Sequence, residues 1–253
     1  MSVELSKKGQ VLSTTGLAAG YDGRAIVSGI SIEATPGKVI SIVGPNGSGK
    51  STLLKSLVGV VKVLDGTVKV GDTVITNMPS EEVAKIGVGY VPQIDDVFPP
   101  LSVKENLEIG GYLLKRHEIH ERIEAVLEFF PKLKNMMHRK AGKLSGGERK
   151  MLAMGRVLML SPSVLVLDEP TANLAPIVAT QLLEEYIRGF ADFGSTVLLV
   201  EQRAKAALRI SDWTYVLGGG RVVLDGPPSD LSQNPIFIES FLGGGAAAHP
   251  PKN

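Results

Sequence analysis

Cysteine is missing from this 253-residue chain, which excludes disulfide bridges, thiolate metal sites and cysteine nucleophiles. Aromatic residues make up only 5%, and no charge sign dominates, because 27 Lys and Arg face 26 Asp and Glu. The net charge of +1 gives no field that would attract a polyanion, so we expect no nucleic-acid partner. The first residues, MSVELSKKGQVLS, lack an apolar core, and no stretch approaches the roughly 18 apolar residues of a membrane span. We therefore expect neither a signal peptide nor a membrane helix, and a cytoplasmic location.

The hydrophobic fraction of 43% is enough for a well-packed α/β domain, and the pattern of apolar residues predicts its elements. Strands are predicted at residues 11–15, 26–32, 39–43 and 67–75, with a helix at 49–61, and residues 103–160 read as a helical insert. Apolar strands at 164–167 and 196–200 flank a helix at 176–193, which is a βαβ arrangement typical of a parallel sheet buried on both faces. A hairpin is predicted at 213–224 and a frayed tail at 243–253.

A glycine-rich segment lies between the strand at 39–43 and the helix that follows, and it fits the pattern G-x-x-x-x-G-K-[ST]. Such a turn lets backbone N–H groups converge on phosphate oxygens, with the lysine reaching the β and γ phosphates and the hydroxyl ligating Mg²⁺. An ordinary glycine-rich turn is the alternative, but the position between strand and helix favours the phosphate loop. The candidate ATP-binding residues here are Gly44, Pro45, Asn46, Gly47, Ser48, Gly49, Lys50, Ser51 and Thr52.

Two carboxylates, Asp168 and Glu169, directly follow the buried strand at 164–167. Ligands of parallel sheets bind at this end of the strands, so Asp168 can hold Mg²⁺ and Glu169 can deprotonate a water that attacks the γ-phosphate. Paired acids alone are more often a helix N-terminus than a metal site. The phosphate loop upstream favours the catalytic interpretation, with Lys50 and Glu169 as catalytic residues.

A third segment begins the apolar helix through Met151, Met154 and Leu158. It consists of Leu144, Ser145, Gly146, Gly147 and Glu148. With both phosphate motifs present, it resembles the signature of ABC-transporter ATPase subunits, and the resemblance extends over residues 11–244. The fold it implies is α/β: a P-loop (RecA-like), mostly parallel sheet core, an antiparallel β subdomain and an inserted helical subdomain. We expect a single domain, with the core at 1–94 and 160–242, the helical subdomain at 95–159 and a flexible tail at 243–253.

The resemblance also implies roles for individual residues. Tyr21 matches the aromatic residue that stacks on adenine, and Gln93 matches the glutamine that meets Mg²⁺, so the implied metal residues are Ser51, Gln93 and Asp168. In this family, the signature of one subunit completes the ATP site of a second subunit. The implied partners are therefore a second ATPase subunit, identical or homologous, two transmembrane permeases and, indirectly, a solute-binding protein. The implied location is the cytoplasmic face of the membrane.

Two positions depart from the common family pattern. Gln202 stands where a histidine is usual, and Ala175 stands where an aspartate is usual. Gln202 can still donate a hydrogen bond to a γ-phosphate but carries no positive charge. The ending Val200-Glu201-Gln202 is similar to the ATPase subunits of high-affinity branched-chain amino-acid uptake systems and their urea and amide relatives, which predicts an importer subunit. A soluble non-transport ATPase and an ATP-binding switch with little turnover are the alternatives.

Overall fold

The computed structural model describes residues 8–94 and 96–242. The elements come in the chain order β1–β4, α1, β5, β6, α2, β7, α3–α6, β8, α7, α8, β9, α9, β10, β11, α10 and α11. The strands are β1 (Leu12–Tyr21), β2 (Arg24–Ile30), β3 (Glu33–Ala34), β4 (Val39–Val43), β5 (Val63–Val70), β6 (Thr73–Val74), β7 (Val88–Val91), β8 (Val164–Asp168), β9 (Thr196–Glu201), β10 (Trp213–Gly218) and β11 (Arg221–Gly226). The helices are α1 (Lys50–Leu57), α2 (Ser80–Ile86), α3 (Val103–Gly110), α4 (Arg116–Phe129), α5 (Pro131–Lys134), α6 (Gly146–Leu158), α7 (Pro176–Gln181), α8 (Arg188–Asp192), α9 (Ala204–Ile210), α10 (Pro228–Leu231) and α11 (Pro235–Phe237).

Shorter irregular helices complete these elements. A π-helical segment, Leu182–Ile187, joins α7 to α8, a second one, Ile238–Leu242, follows α11, and a 3₁₀ turn, Ala141–Lys143, precedes α6. None of the helices in the described part of the chain is long and apolar enough to cross a membrane. The tail predicted at 243–253 and the first seven residues lie outside the described residues.

The strands form two sheets. In the first, β2, β1, β5 and β6 lie side by side, β3 also pairs with β1, and every pairing is antiparallel. In the second, the order is β11-β10-β4-β9-β8-β7, and all neighbours are parallel except β10 and β11. The mostly parallel sheet, the antiparallel sheet and the helical region at 103–158 confirm the predicted α/β fold class.

Both faces of the parallel sheet are covered, as its continuous apolar strands require. Alternate residues of β8 and β9 pack on opposite sides: Leu165 and Leu199 join a core with the helices α3 to α6, whereas Val166 and Leu198 join a core with α1 and the antiparallel sheet. Because the side chains of β8 and β9 are buried in a core on each face, neither face of the sheet is exposed to solvent at these strands. The helix α1 therefore lies between the two sheets and is held on both sides.

Several predicted elements differ in extent from the observed ones; the strand predicted at 11–15, for example, continues to Tyr21 as β1. The predicted helix 49–61 ends at Leu57, because Gly59 takes a φ of +74° and its backbone lies against Met78, where any Cβ would come within 2.2 Å of a carbonyl oxygen. The single strand predicted at 67–75 was wrong: β5 and β6 form a hairpin across Gly71 and Asp72. The strand predicted at 26–32 ends at Ile30.

Candidate functional site

The loop between β4 and α1 requires glycine at two positions for steric reasons. A Cβ on Gly44 would lie 2.3 Å from the Leu217 carbonyl oxygen and 2.7 Å from the Ser48 hydroxyl. Gly49, with a φ of +99°, would place a Cβ 2.5 Å from the side chain of Val27. The turn therefore approaches both sheets too closely for any side chain at these points.

Lys50, the first residue of α1, has its ammonium group folded over this loop. It is only 5% exposed, and its Nζ donates to the carbonyl oxygens of Gly44 at 2.9 Å and Pro45 at 3.1 Å. The same Nζ lies 3.7 Å from Oε1 of Glu169, beyond the end of β8. The loop thus surrounds a buried cation beside the N-terminus of α1, and this combination favours the binding of an anion.

Asp168, the last residue of β8, is held by two hydroxyl groups. Ser51 Oγ donates to its Oδ1 at 3.3 Å, and Tyr90 Oη donates to its Oδ2 at 3.3 Å. Burial raises the pKa of the Asp168 carboxyl, although these two hydrogen bonds oppose the shift, and burial also raises the pKa of Tyr90. Tyr90 was not predicted as a site residue. Its only signal in the sequence is its place at the end of a β-type run just before Gln93.

Glu169 combines a strained backbone with two polar contacts. Its φ of +44° is uncommon for a residue other than glycine, and such strain often accompanies functional sites. Gln93 Nε2 donates to its Oε2 at 3.0 Å, while Lys50 lies near Oε1. The structure therefore brings together Gln93, Lys50 and Glu169, which lie in three separate segments of the sequence.

An open pocket of about 460 Å³ lies over the glycine-rich loop. It is lined by Ile26, Asn46, Gly47, Gly49, Lys50, Ser51, Thr52, Gln93, Glu169 and Gln202. Gln202, which follows β9, therefore shares the pocket with Glu169. Tyr21 is not among the lining residues; it lies 51% exposed at the end of β1, on the hairpin that also carries Ile26.

The candidate signature residues lie apart from this pocket, at the start of α6. Ser145 is exposed and caps the helix: its Oγ accepts from the N–H of Glu148 at 3.4 Å, and Glu148 Oε2 accepts from the N–H of Ser145 at 2.8 Å. Leu144 is buried before the cap, and Gly146 and Gly147 form the first turn. None of these residues lines the pocket of the same chain.

A buried carboxylate missed by the sequence interpretation supports the loop beyond Glu169. Glu201, at the end of β9, is 1% exposed and accepts from Thr171 through the backbone N–H at 3.1 Å and the hydroxyl at 2.8 Å. Burial raises the pKa of Glu201, with those hydrogen bonds opposing the shift. Glu201 therefore fixes the turn that follows the two acidic residues of β8.

The donors around the pocket fit a nucleotide with a divalent cation. Ser48 Oγ is buried and has no hydrogen-bond partner within the described chain, so the loop retains an unused polar group. Ser51, Asp168 and Gln93 offer hydroxyl, carboxylate and amide oxygens, which are hard donors suited to Mg²⁺. No group of three or more His, Asp or Glu suited to a metal occurs within residues 8–94 and 96–242.

Comparison with known proteins gives consistent matches over most of the chain. The family described as ABC transporter matches residues 27–172. A probable branched-chain amino acid transport ATP-binding protein of Archaeoglobus fulgidus is 42% identical over 233 residues, covering 92% of this chain and 99% of the relative. A high-affinity branched-chain amino acid transport ATP-binding protein of Pseudomonas aeruginosa is 39% identical over 215 residues, covering 85% of this chain and 92% of the relative. Among solved structures, an ATP-binding cassette of an ABC transporter in its ADP conformation has a TM-score of 0.83 at 30% identity, covering 92% of this chain and 99% of that one.

Proposed function

The chain belongs to the ATP-binding subunits of ABC transporters, and we propose that it hydrolyses ATP to drive the uptake of branched-chain amino acids through a membrane permease. The cluster of Lys50, Gln93 and Glu169 at the mouth of the glycine-rich loop carries the catalytic part of this proposal. The printed names of two relatives, at 42% and 39% identity, support the choice of solute.

The nucleotide would lie with its phosphates on the loop of residues 44–52. Lys50 neutralises charge on the β and γ phosphates, and the backbone N–H groups of the loop bind their oxygens. Tyr21, which is exposed on the adjoining hairpin, offers a ring face on which adenine can stack. This assignment uses every residue that the sequence predicts for ATP binding.

Glu169 is the group we assign to remove a proton from the attacking water. Its carboxylate is held at one oxygen by Gln93 and lies near Lys50 at the other, so its orientation is fixed before a substrate binds. Gln202, in the same pocket, donates a neutral hydrogen bond to the γ-phosphate. Mg²⁺ would be held by Ser51, Asp168 and Gln93, and when bound it neutralises charge on the phosphate oxygens.

The signature residues would act on a second subunit. Ser145 is exposed at the N-terminus of α6, and neither it nor the two glycines after it line the pocket of their own chain, so we assign all three to the nucleotide of a partner. This requires a head-to-tail dimer of ATPase subunits, which would bind two permease subunits on the cytoplasmic face and act indirectly with a solute-binding protein. We propose the same division of the chain as before: a core at 1–94 and 160–242 and a helical subdomain at 95–159.

One observation favours a second candidate, an ATP-binding switch with little turnover. Gln202 cannot carry the positive charge that a histidine would bring to the γ-phosphate. Glu169, whose carboxylate is already oriented for proton transfer, favours hydrolysis instead.

Uptake measurements in the organism that encodes the chain test this proposal. Deletion of the gene should abolish high-affinity uptake of labelled leucine, isoleucine and valine, and the wild-type gene should restore it. A gene carrying Lys50→Ala should fail to restore uptake, because the loop loses its buried cation, whereas Lys69→Ala, which removes an exposed lysine of β5, should restore it fully. If urea or short amides lose uptake and the amino acids do not, the solute assignment is wrong. If Lys50→Ala restores uptake, the site assignment is wrong.

A further inference from the structure

A buried ion pair lies beside the site, where the loop carrying Gln93 meets α6. Lys150 Nζ is 2.7 Å from Asp96 Oδ2, and the two side chains are only 7% and 6% exposed. Charged side chains are rarely buried this far unless they are paired, and such pairs are weak evidence for stability. Stability alone therefore does not account for the burial of Lys150.

Lys150 contacts more than its ion-pair partner. Its Nζ donates one hydrogen bond to the carbonyl oxygen of Gln93 at 2.7 Å and another to the carbonyl oxygen of Pro92 at 3.3 Å. Three oxygens thus lie around the ammonium group: the two carbonyl oxygens accept hydrogen bonds from it, and Asp96 Oδ2 is its ion-pair partner. The side chain therefore ties two consecutive backbone positions of the loop, and Asp96 further along it, to α6.

The loop is fastened to α6 a second time through Arg156. Its Nη1 donates to the Asp96 carbonyl oxygen, and its guanidinium lies 4.5 Å from the centroid of the Phe98 ring. Two cations of one helix thus bind the same short stretch of chain. A movement of α6 would be transmitted to this stretch directly.

From Gln93 the contacts continue into the site. The Gln93 side chain donates to Glu169, and Glu169 lies near Lys50. The helix α6 begins at Gly146, one of the signature residues, four positions before Lys150. A continuous series of polar contacts therefore connects the signature helix to the group assigned as general base.

We propose that Lys150 is a positioning residue for ATP hydrolysis: it holds the backbone of Gln93 so that the Gln93 side chain orients Glu169. The proposal rests on the functions proposed above for Gln93 and Glu169. Lys150 does not touch the nucleotide in this assignment. Its loss should therefore lower the rate of the chemical step and leave ATP binding nearly unchanged.

Two variants separate the carbonyl contacts from the ion pair. Lys150→Met removes every contact of the ammonium with a side chain of similar length, whereas Asp96→Asn removes only the negative charge and leaves Lys150 on the two carbonyl groups. Phosphate release by the purified chain should show kcat lowered about ten- to hundredfold in Lys150→Met with KM for ATP within about twofold. In Asp96→Asn, kcat should stay within about threefold of wild type. Equal losses in both variants would overturn the proposal, because the ion pair alone would then explain them.

A double-mutant cycle with Gln93→Ala gives a result that a purely structural role would not. If Lys150 acts through Gln93, then Gln93→Ala/Lys150→Met should be no slower than Gln93→Ala alone. Additive losses would contradict the proposal. If Lys150→Met fails to fold, Lys150→Met/Asp96→Leu removes both buried charges, and it should fold and keep the low kcat. Wild-type kcat in that folded double variant would also overturn the proposal.

The same assays distinguish this proposal from the assignment of the site. If Glu169→Gln and Gln93→Ala both turn over ATP at the wild-type rate, the proposed site is wrong and the role of Lys150 falls with it. If these variants are slow and Lys150→Met is as fast as wild type, only the role of Lys150 is wrong.

Discussion

Gln202 is the pocket residue that departs from the family pattern, because a histidine is usual at this position. It lines the same pocket as Glu169 and Lys50, and its amide can donate a neutral hydrogen bond worth roughly half of a charged one. The position therefore suits sensing of the γ-phosphate rather than proton transfer.

We expect Gln202→Ala to lower kcat by about three- to tenfold, which is much less than the effect of Glu169→Gln. The reason is that Gln202→Ala removes a neutral hydrogen bond and leaves the general base in place. Phosphate release measured between pH 5.5 and 8.5 should show the same pH profile in Gln202→Ala and wild type, since glutamine does not titrate. Gln233→Ala, at an exposed position outside the pocket, serves as the control. Unchanged turnover in Gln202→Ala would make the residue a bystander.

Glu201 makes the stability of the fold depend on pH. Burial raises its pKa in the folded chain, so the folded state binds the proton more tightly than the unfolded state does. The contribution of Glu201 to the free energy of unfolding therefore falls as the pH rises from the ordinary range of a carboxyl through the raised pKa. Glutamine at this position would keep an oxygen acceptor for both Thr171 donors and carry no charge.

Glu201→Gln should consequently unfold at a higher temperature than wild type at pH 8, and the difference should shrink toward pH 4, where the wild-type carboxyl is protonated. Thermal unfolding followed by circular dichroism across this range tests the expectation. Glu185→Gln, which changes an exposed carboxylate, should follow the wild-type profile. A lower unfolding temperature for Glu201→Gln at pH 8 would show that the ionised carboxylate stabilises the fold.

Two helices begin with the same capping arrangement, and only one of them has a proposed role in catalysis. Ser102 caps α3, accepting from the N–H of Glu105 at 3.2 Å, in the same way that Ser145 caps α6. This pair of elements therefore separates the structural effect of a cap from its effect on turnover.

Ser102→Ala and Ser145→Ala should each lower the free energy of unfolding by about 1 kcal/mol, the usual effect of losing an N-cap. Only Ser145→Ala should also lower ATP turnover, by about tenfold, because its hydroxyl is assigned to the nucleotide of the partner subunit. Chemical denaturation and phosphate release on the same preparations check both effects. Equal turnover in the two variants would contradict the assignment of Ser145.

The sequence predicts elements well where one local pattern decides them. The strand at 39–43 is found with those bounds, and the two apolar strands flanking the βαβ helix lie in neighbouring parallel positions. The ends of β2, of α1 and of the hairpin at 63–74 depend on glycine conformations and on contacts with distant residues such as Met78, which local periodicity does not contain. The strand β7 was missed because it has only four residues, which are too few to show a period. Only two of the four, Val88 and Val91, are buried.

The site residues follow the same rule: those in local motifs can be predicted from the sequence, and those defined by distant contacts cannot. Lys50, Asp168 and Glu169 belong to motifs that can be recognised from spacing, and they meet in the structure. The contacts of Tyr90, Glu201 and Lys150 cannot be predicted from a motif, because each residue contacts a partner that lies 30 or more positions away in the sequence. Only the folded arrangement of strand ends and α6 brings these partners together.

At the scale of the whole molecule, the site forms where three neighbouring parallel strands end. Val43 of β4 pairs with Glu201 of β9, and Asp168 of β8 pairs with Val200 of β9. The glycine-rich loop, the two acidic residues and Gln202 therefore leave the sheet side by side, as expected for ligands at the carboxyl ends of parallel strands. The core on one face of this sheet includes α1, and the core on the other includes α6. The helical region and the helix that follows the glycine-rich loop therefore pack on opposite faces of the same sheet.

Phosphate release by the purified chain with ATP and Mg²⁺, compared between wild type and Glu169→Gln, tests most directly the claim that this edge hydrolyses ATP with Glu169 as the base. The variant keeps the size of the side chain and its contact with Gln93, so ATP binding should remain at the wild-type level. Its turnover should fall about a hundredfold or more, the effect expected for losing a general base. Glu128→Gln, on the exposed side of α4, should match wild type. Turnover by Glu169→Gln at the wild-type rate would contradict the account.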